Sequence, residues 1–176
     1  GRSESRNGGV FPWNFPIYGT YWTAADVLVT HLGNINGGLD KLKGKKIALV
    51  YHDSPFGKEP IPLLKKRASM HDFELLTIPV THPGVEQKSA WIQIRKEKPD
   101  YVLLWGWGVM NSTAIKEATG VRYPRDQIYG IWWAGAEPDV RPAAADAVGY
   151  QAVSMISSGQ AQVHKDILNY IYDNDL

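Results

Sequence analysis

The chain has 176 residues, 44% apolar and 21% charged, with a net charge of +1 at neutral pH. This suits one globular domain with a substantial core, and the balanced charge excludes the basic footprint of a nucleic-acid or anionic-membrane binder. Cysteine is absent, which excludes disulfides, thiolate metal sites and cysteine nucleophiles together.

Gly1 to Gly9 is polar and glycine-rich and does not read as a secretory leader. Phe11 to Phe15 reads as a short strand, confined to an edge or a crossing segment by Pro12 and Pro16. Thr20 to Leu32 carries Trp22, Ala25, Leu28, Val29 and Leu32 on one face at helical spacing, and Gly33 reads as its stop. From there strands and helices alternate. Strands are expected at Lys46–Tyr51, Glu74–Val80, Tyr101–Trp105, Gln127–Trp132 and Tyr150–Ile156. Helices are expected at Lys58–Met70, Gln87–Lys96, Asn111–Thr119, Pro138–Val148 and Ala161–Tyr172.

Strand starts recur roughly every 25 residues, the βαβ rhythm of a parallel sheet with right-handed crossovers. The strands are nearly unbroken apolar runs, as in a sheet covered by helices on both faces. The expected fold is α/β, a Rossmann-like three-layer αβα sandwich. Its mostly parallel sheet would have about five strands in the flavodoxin-like order 2-1-3-4-5. The longest apolar run, Tyr101 to Met110, is about half of the roughly 20 residues that span a bilayer, so membrane insertion is not expected.

Open parallel sheets bind ligands at the carboxyl ends of their strands, where strand order reverses. There the sequence is crowded with aromatics: Phe56 after strand one, Trp105 and Trp107 around the end of strand three, Trp132 and Trp133 at strand four. These five are the candidate ligand-binding residues, forming a wall that stacks a flat or apolar solute at about 1 kcal/mol per aromatic contact beyond area burial. Against this stands the plainer role of a core aromatic, the commoner fate of any single tryptophan.

Catalytic chemistry finds little support. His52, Asp53 and Ser54 are residue types of a nucleophilic triad, but sequence neighbours do not take up that geometry and no G-x-S-x-G elbow is present. His52 and His82 follow adjacent strands without an obvious third metal ligand, and read as solvated loop histidines. Gly106-Trp107-Gly108 lacks the third glycine of a dinucleotide fingerprint, and Phe56-Gly57-Lys58 lacks the first glycine of a phosphate loop. No catalytic residue, metal or cofactor is therefore assigned. Glu137 and Asp139 either cap the helix that follows them or offer a carboxylate to a ligand amine.

The stretches KGKKIALVYHDSPFGKE, EQKSAWIQIRKEKPDYVLLWGWG, DQIYGIWWAGAEPDV and AVGYQAVSMIS resemble, in that order, the second lobe of type I periplasmic solute-binding proteins of the branched-chain amino acid transport family. The resemblance runs over roughly residues 10–176 and rests on the ordered series rather than on one motif. It implies two Rossmann-like lobes closing on a small-molecule ligand, with residues 1–19 as lead-in and inter-lobe crossing. Residues 20–176 would be one ligand-binding lobe, and Ser157 to Gln160 would lie near the second crossing. It implies an extracytoplasmic, periplasmic location, a first lobe from the same protein, and a transporter permease as partner. A ligand-sensing domain of a regulator or chemoreceptor uses the same fold, and a small α/β enzyme is the remaining alternative. The resemblance assigns ligand contacts to Phe56 and Trp107, with Trp105 beside it. Where amino-acid binders of the family place a glutamate for the ligand ammonium, this chain has Trp132. An α-ammonium would lack its partner there, so the expected solute is an aromatic or apolar organic acid, or an amide, rather than a zwitterionic amino acid.

Overall fold

The computed structural model describes residues 9–13, 15, 19–155 and 161–174. Helix α1 (Tyr21–Ile35) opens on a capping box in which the Thr20 hydroxyl accepts the Thr23 amide and the Thr23 hydroxyl accepts the Thr20 amide. Its buried face is Ala24, Ala25, Leu28, Val29 and Leu32. Gly33 does not end the helix as expected. It lies buried within it, where a Cβ would come 2.7 Å from Leu39 Cδ2, so its smallness seats the following 3₁₀ turn, Leu39–Leu42.

Strand β1 (Lys46–His52) is buried along almost its whole length. It is followed by the one-turn helix α2 (Pro55–Lys58), capped by Ser54, and by α3 (Ile61–His71). Then come β2 (Glu74–Val80), α4 (Lys88–Glu97), β3 (Tyr101–Trp105) and α5 (Val109–Gly120). The five strands form one sheet in the order β2-β1-β3-β4-β5, every pair parallel, as the sequence predicts. Helices α1 and α3 pack together, as do α4 and α5. Ile47, Leu49, Leu103, Leu104 and Ile115 are fully buried between the layers, each contributing about 1.5–3 kcal/mol.

Departures from expectation concentrate at both ends of the chain. Phe11 to Trp13 and Phe15 form no strand; Asn14 lies outside the described residues. Strand β4 is only Ile128–Gly130, because Trp132–Gly135 closes into a 3₁₀ turn in which the Ala134 amide donates to Ile131 O at 2.6 Å. The helix expected at Pro138–Val148 is a single turn, α6 (Glu137–Val140), then a 3₁₀ stretch, Arg141–Ala147. Pro142 has no N–H to continue the α6 ladder, and Ala144 breaks the spiral at φ 49°. Strand β5 shrinks to Gln151–Ala152, with the Val153 amide donating to Gly130 O as the last rung. Helix α7 (Gln162–Asp173) forms as expected and is exposed along nearly its whole length. Ser157 to Gln160, the expected second crossing, lies outside the described residues.

Candidate functional site

Helices antiparallel to the strands set their first turns at the sheet's carboxyl edge. Tyr21, the first residue of α1, therefore reaches the ends of β1, β3 and β4. Its ring meets Phe56 edge-on at 5.0 Å and Trp105 edge-on at 6.1 Å, and stacks on Trp132 at 5.2 Å with 27° between planes. The Trp133 indole donates to the Tyr21 hydroxyl at 2.7 Å. Four of the five expected aromatics thus gather around a residue that sequence reasoning did not single out. Trp105 has no exposed surface and backs Tyr21 from within, its Nε1 without a partner among the described residues. Phe56 and Trp132 are half-buried, while Trp133 is 51% exposed.

Trp107 belongs to a second group. Gly106 ends β3, and Gly108, at φ 61°, turns the backbone before α5. Trp107 then stands beside His52 and His82, with ring centres 5.8 and 6.0 Å away, and keeps 48% of its surface exposed. His52 Nε2 lies 3.1 Å from His82 Nδ1, and His52 Nδ1 lies 2.8 Å from Ser54 Oγ. His52 is not the solvated loop residue the sequence suggested: it is buried as the last residue of β1, and only His82 is exposed. Burial, then the neighbouring His82, lowers the His52 pKa against a smaller opposing pull from Asp53.

Ser54 Oγ and His52 Nδ1 lie within hydrogen-bond distance of each other. The arrangement still differs from a nucleophilic triad. Ser54 Oγ also accepts the Gly57 amide as the cap of α2, and the partner on the far side of His52 is a second imidazole. The Asp53 carboxylate is held by Lys58 Nζ at 2.5 Å. Among the described residues no group of three histidine or acidic side chains could hold a metal ion.

The two carboxylates past β4 are both engaged. Asp139 Oδ2 accepts the Gly108 amide at 2.5 Å and Asn111 Nδ2 at 3.1 Å, so it caps α5 rather than the helix that contains it. Glu137 pairs with Arg141 at 3.3 Å in the open. Asn111, fully buried, also donates to Trp133 O at 3.1 Å, tying the Trp107 loop to the Trp132–Trp133 turn. A shallow depression lined by Gly135, Glu137, Val140, Arg141, Tyr150 and Ala152 shares no residue with either aromatic group.

The profile of the family described as periplasmic binding protein matches residues 1–163. The chain belongs to the periplasmic binding proteins. This periplasmic binding protein chain superposes over 100% of its length on a structure described as an ABC transporter permease from the Pseudomonas fluorescens group. The two share 43% identity at a TM-score of 0.90. A fatty acid ABC transporter substrate-binding protein from Thermomonospora curvata matches 89% of the chain at 21% identity and a TM-score of 0.70. A solute-binding protein from R. palustris in complex with benzoate matches 86% at 20% identity and a TM-score of 0.61. The chain spans 43%, 40% and 40% of those three, less than half of each. No curated protein matches it in sequence. The sheet order and flanking helices are those of a type I lobe in this family. No helix among the described residues is long and apolar enough to cross a membrane.

Proposed function

We propose that this chain is one lobe of an extracytoplasmic receptor that delivers a small aromatic or apolar solute to an ABC transporter permease, and that it performs no catalysis. The observation that carries the reading is the convergence of Phe56, Trp132 and Trp133 on Tyr21 at the carboxyl edge of the sheet. Trp107 supplies a further exposed ring, while Trp105, with no exposed surface, backs Tyr21 from within the core. The engaged state of Asp139 supports a solute without an ammonium group, because its carboxylate already accepts from the Gly108 amide and Asn111 Nδ2. A first lobe would complete the cleft, and the exposed Val163, Ile167 and Leu168 give α7 an apolar face that supports further protein packing.

The test is a thermal-shift screen of the intact protein with aromatic acids, amides and amino acids, followed by calorimetry. Aromatic or apolar solutes should stabilise it, and Tyr21→Ala should weaken their binding by about tenfold, the worth of one aromatic contact. Tight leucine binding with no response to aromatic compounds would overturn the reading. A fused output domain or signalling partner in place of a permease would mark the same lobe as a sensor.

A further inference from the structure

Resting on that reading, we propose that the Tyr21 hydroxyl determines specificity at this site by donating its proton to an uncharged oxygen, a carbonyl above all, on the body of an aromatic solute.

The direction of one contact decides what Tyr21 can offer. An indole nitrogen only donates, so in the 2.7 Å contact between Trp133 Nε1 and the Tyr21 hydroxyl the phenol oxygen is the acceptor. This occupies the in-plane lone pair and turns the phenol proton away from Trp133. Among the described residues no acceptor takes that proton. The bond lies on the open side of the cluster, where Trp133 is 51% exposed. Accepting from an indole also polarises the phenol and strengthens it as a donor. The Tyr21 ring is held before any solute arrives, stacked on Trp132 and set edge-on to Phe56 and Trp105. Trp133 is anchored in turn, because Asn111 Nδ2 donates to its carbonyl at 3.1 Å. A donor already fixed in place loses little freedom on binding.

The other rings of the cluster point to the same kind of solute. Phe56 has no polar side-chain atom, and the indoles of Trp105 and Trp132 are donors only. Trp105 Nε1 is sealed in the core, and Trp132 Nε1 makes no hydrogen bond among the described residues. With the Tyr21 oxygen taken by Trp133, these rings present donors and no acceptor atom. A solute N–H or O–H facing them would give up its water partner and gain none. A carboxylate fits no better, since isolated neutral donors among apolar rings do not replace its hydration shell. A neutral carbonyl oxygen is satisfied by one donor and is easier to dehydrate. The solute so defined is flat and apolar with a neutral oxygen on its body, and any ionised group it carries lies outside this sector.

The probes are 4-acetylbenzoate and 4-isopropenylbenzoate, together with the matching pair substituted at the 3-position. Within each pair the carbonyl oxygen is replaced by a CH2 group at nearly the same shape and the same charge. Calorimetry on the intact protein compares their affinities, and Tyr21→Phe keeps the ring while removing the hydroxyl. The parent protein should bind the acetyl member of a pair about tenfold more tightly than its partner, a comparison that needs no variant. Tyr21→Phe should weaken the acetyl member by about tenfold and leave the isopropenyl member within about twofold. Equal binding within both pairs by the parent, or a Tyr21→Phe variant that loses both members alike or neither, would overturn the assignment and leave the receptor reading standing. Failure of all four probes to bind would overturn both.

Discussion

Replacing Gly57 by alanine would place a Cβ 1.9 Å from the carbonyl oxygen of His52, 2.8 Å from its carbon and 3.0 Å from its nitrogen. A non-bonded carbon and oxygen rest at about 3.3 Å or beyond, so the two segments must part by about 1.4 Å. All three contacted atoms are backbone, so no rotamer change relieves the clash. Helix α2 has to lift away from the end of β1, which loosens the Ser54 cap and draws Phe56 from its edge contact with Tyr21. Overpacking costs about 1–3 kcal/mol, and backbone against backbone belongs at the upper end, about 3 kcal/mol. Gly120 is the internal control. A Cβ there meets nothing within 4 Å, so Gly120→Ala should be neutral or stabilise by up to about 1 kcal/mol through loss of unfolded-state freedom. Urea unfolding of the two variants measures the difference as a shift in midpoint at constant slope. If Gly57→Ala unfolds within about 1 kcal/mol of the parent, the close approach of α2 to β1 is wrong.

Asp139→Ala should destabilise by about 1–3 kcal/mol in the same assay, because the Gly108 amide and Asn111 Nδ2 lose their shared acceptor; a cost near zero would mean that Asp139 does not hold the Trp107 loop. The lowered His52 pKa gives a pH dependence of defined sign. The unfolded chain takes up its proton near 6.5, above the folded protein, so the stability His52 contributes is complete above that value and is lost as pH falls through it towards the lowered folded pKa. His52→Gln should remove that part of the acid-side slope in denaturation measured over a pH series.

The first and third strands could be read almost to the residue because their signal is one of mass: KIALVYH and YVLLW are buried on both faces, as a parallel strand covered by helices requires. The failures came where local chemistry competes with that signal. Ile131 to Trp133 is rich in strand formers, yet Ala134 and Gly135 are small enough to fold back onto Ile131 O, and the strand gives way to a turn. Across Pro138 to Val148 the alanines promise a helix, and Pro142 removes the hydrogen bond that would carry it past one turn.

The site was legible as a location and less so as a set of contacts. Trp105 and Trp107 look equivalent in sequence, two residues apart beside glycines. The end of β3 separates them, leaving Trp105 sealed behind Tyr21 and Trp107 among the histidines. The neighbourhood of His52 and His82 was within reach of the sequence, since in-register pairing of β1 with β2 sets His52 against Val80, two residues short of His82. Tyr21 was within reach as well, because a helix antiparallel to the sheet delivers its first turn to the carboxyl edge, whatever the intervening sequence. Neither inference comes from residue types alone; each needs the topology first. Together they turn one expected aromatic wall into two sectors, an apolar one centred on Tyr21 and a second in which Trp107 stands beside His52 and His82. That division follows from the topology, which sends the end of β3 and the end of β1 to different neighbours.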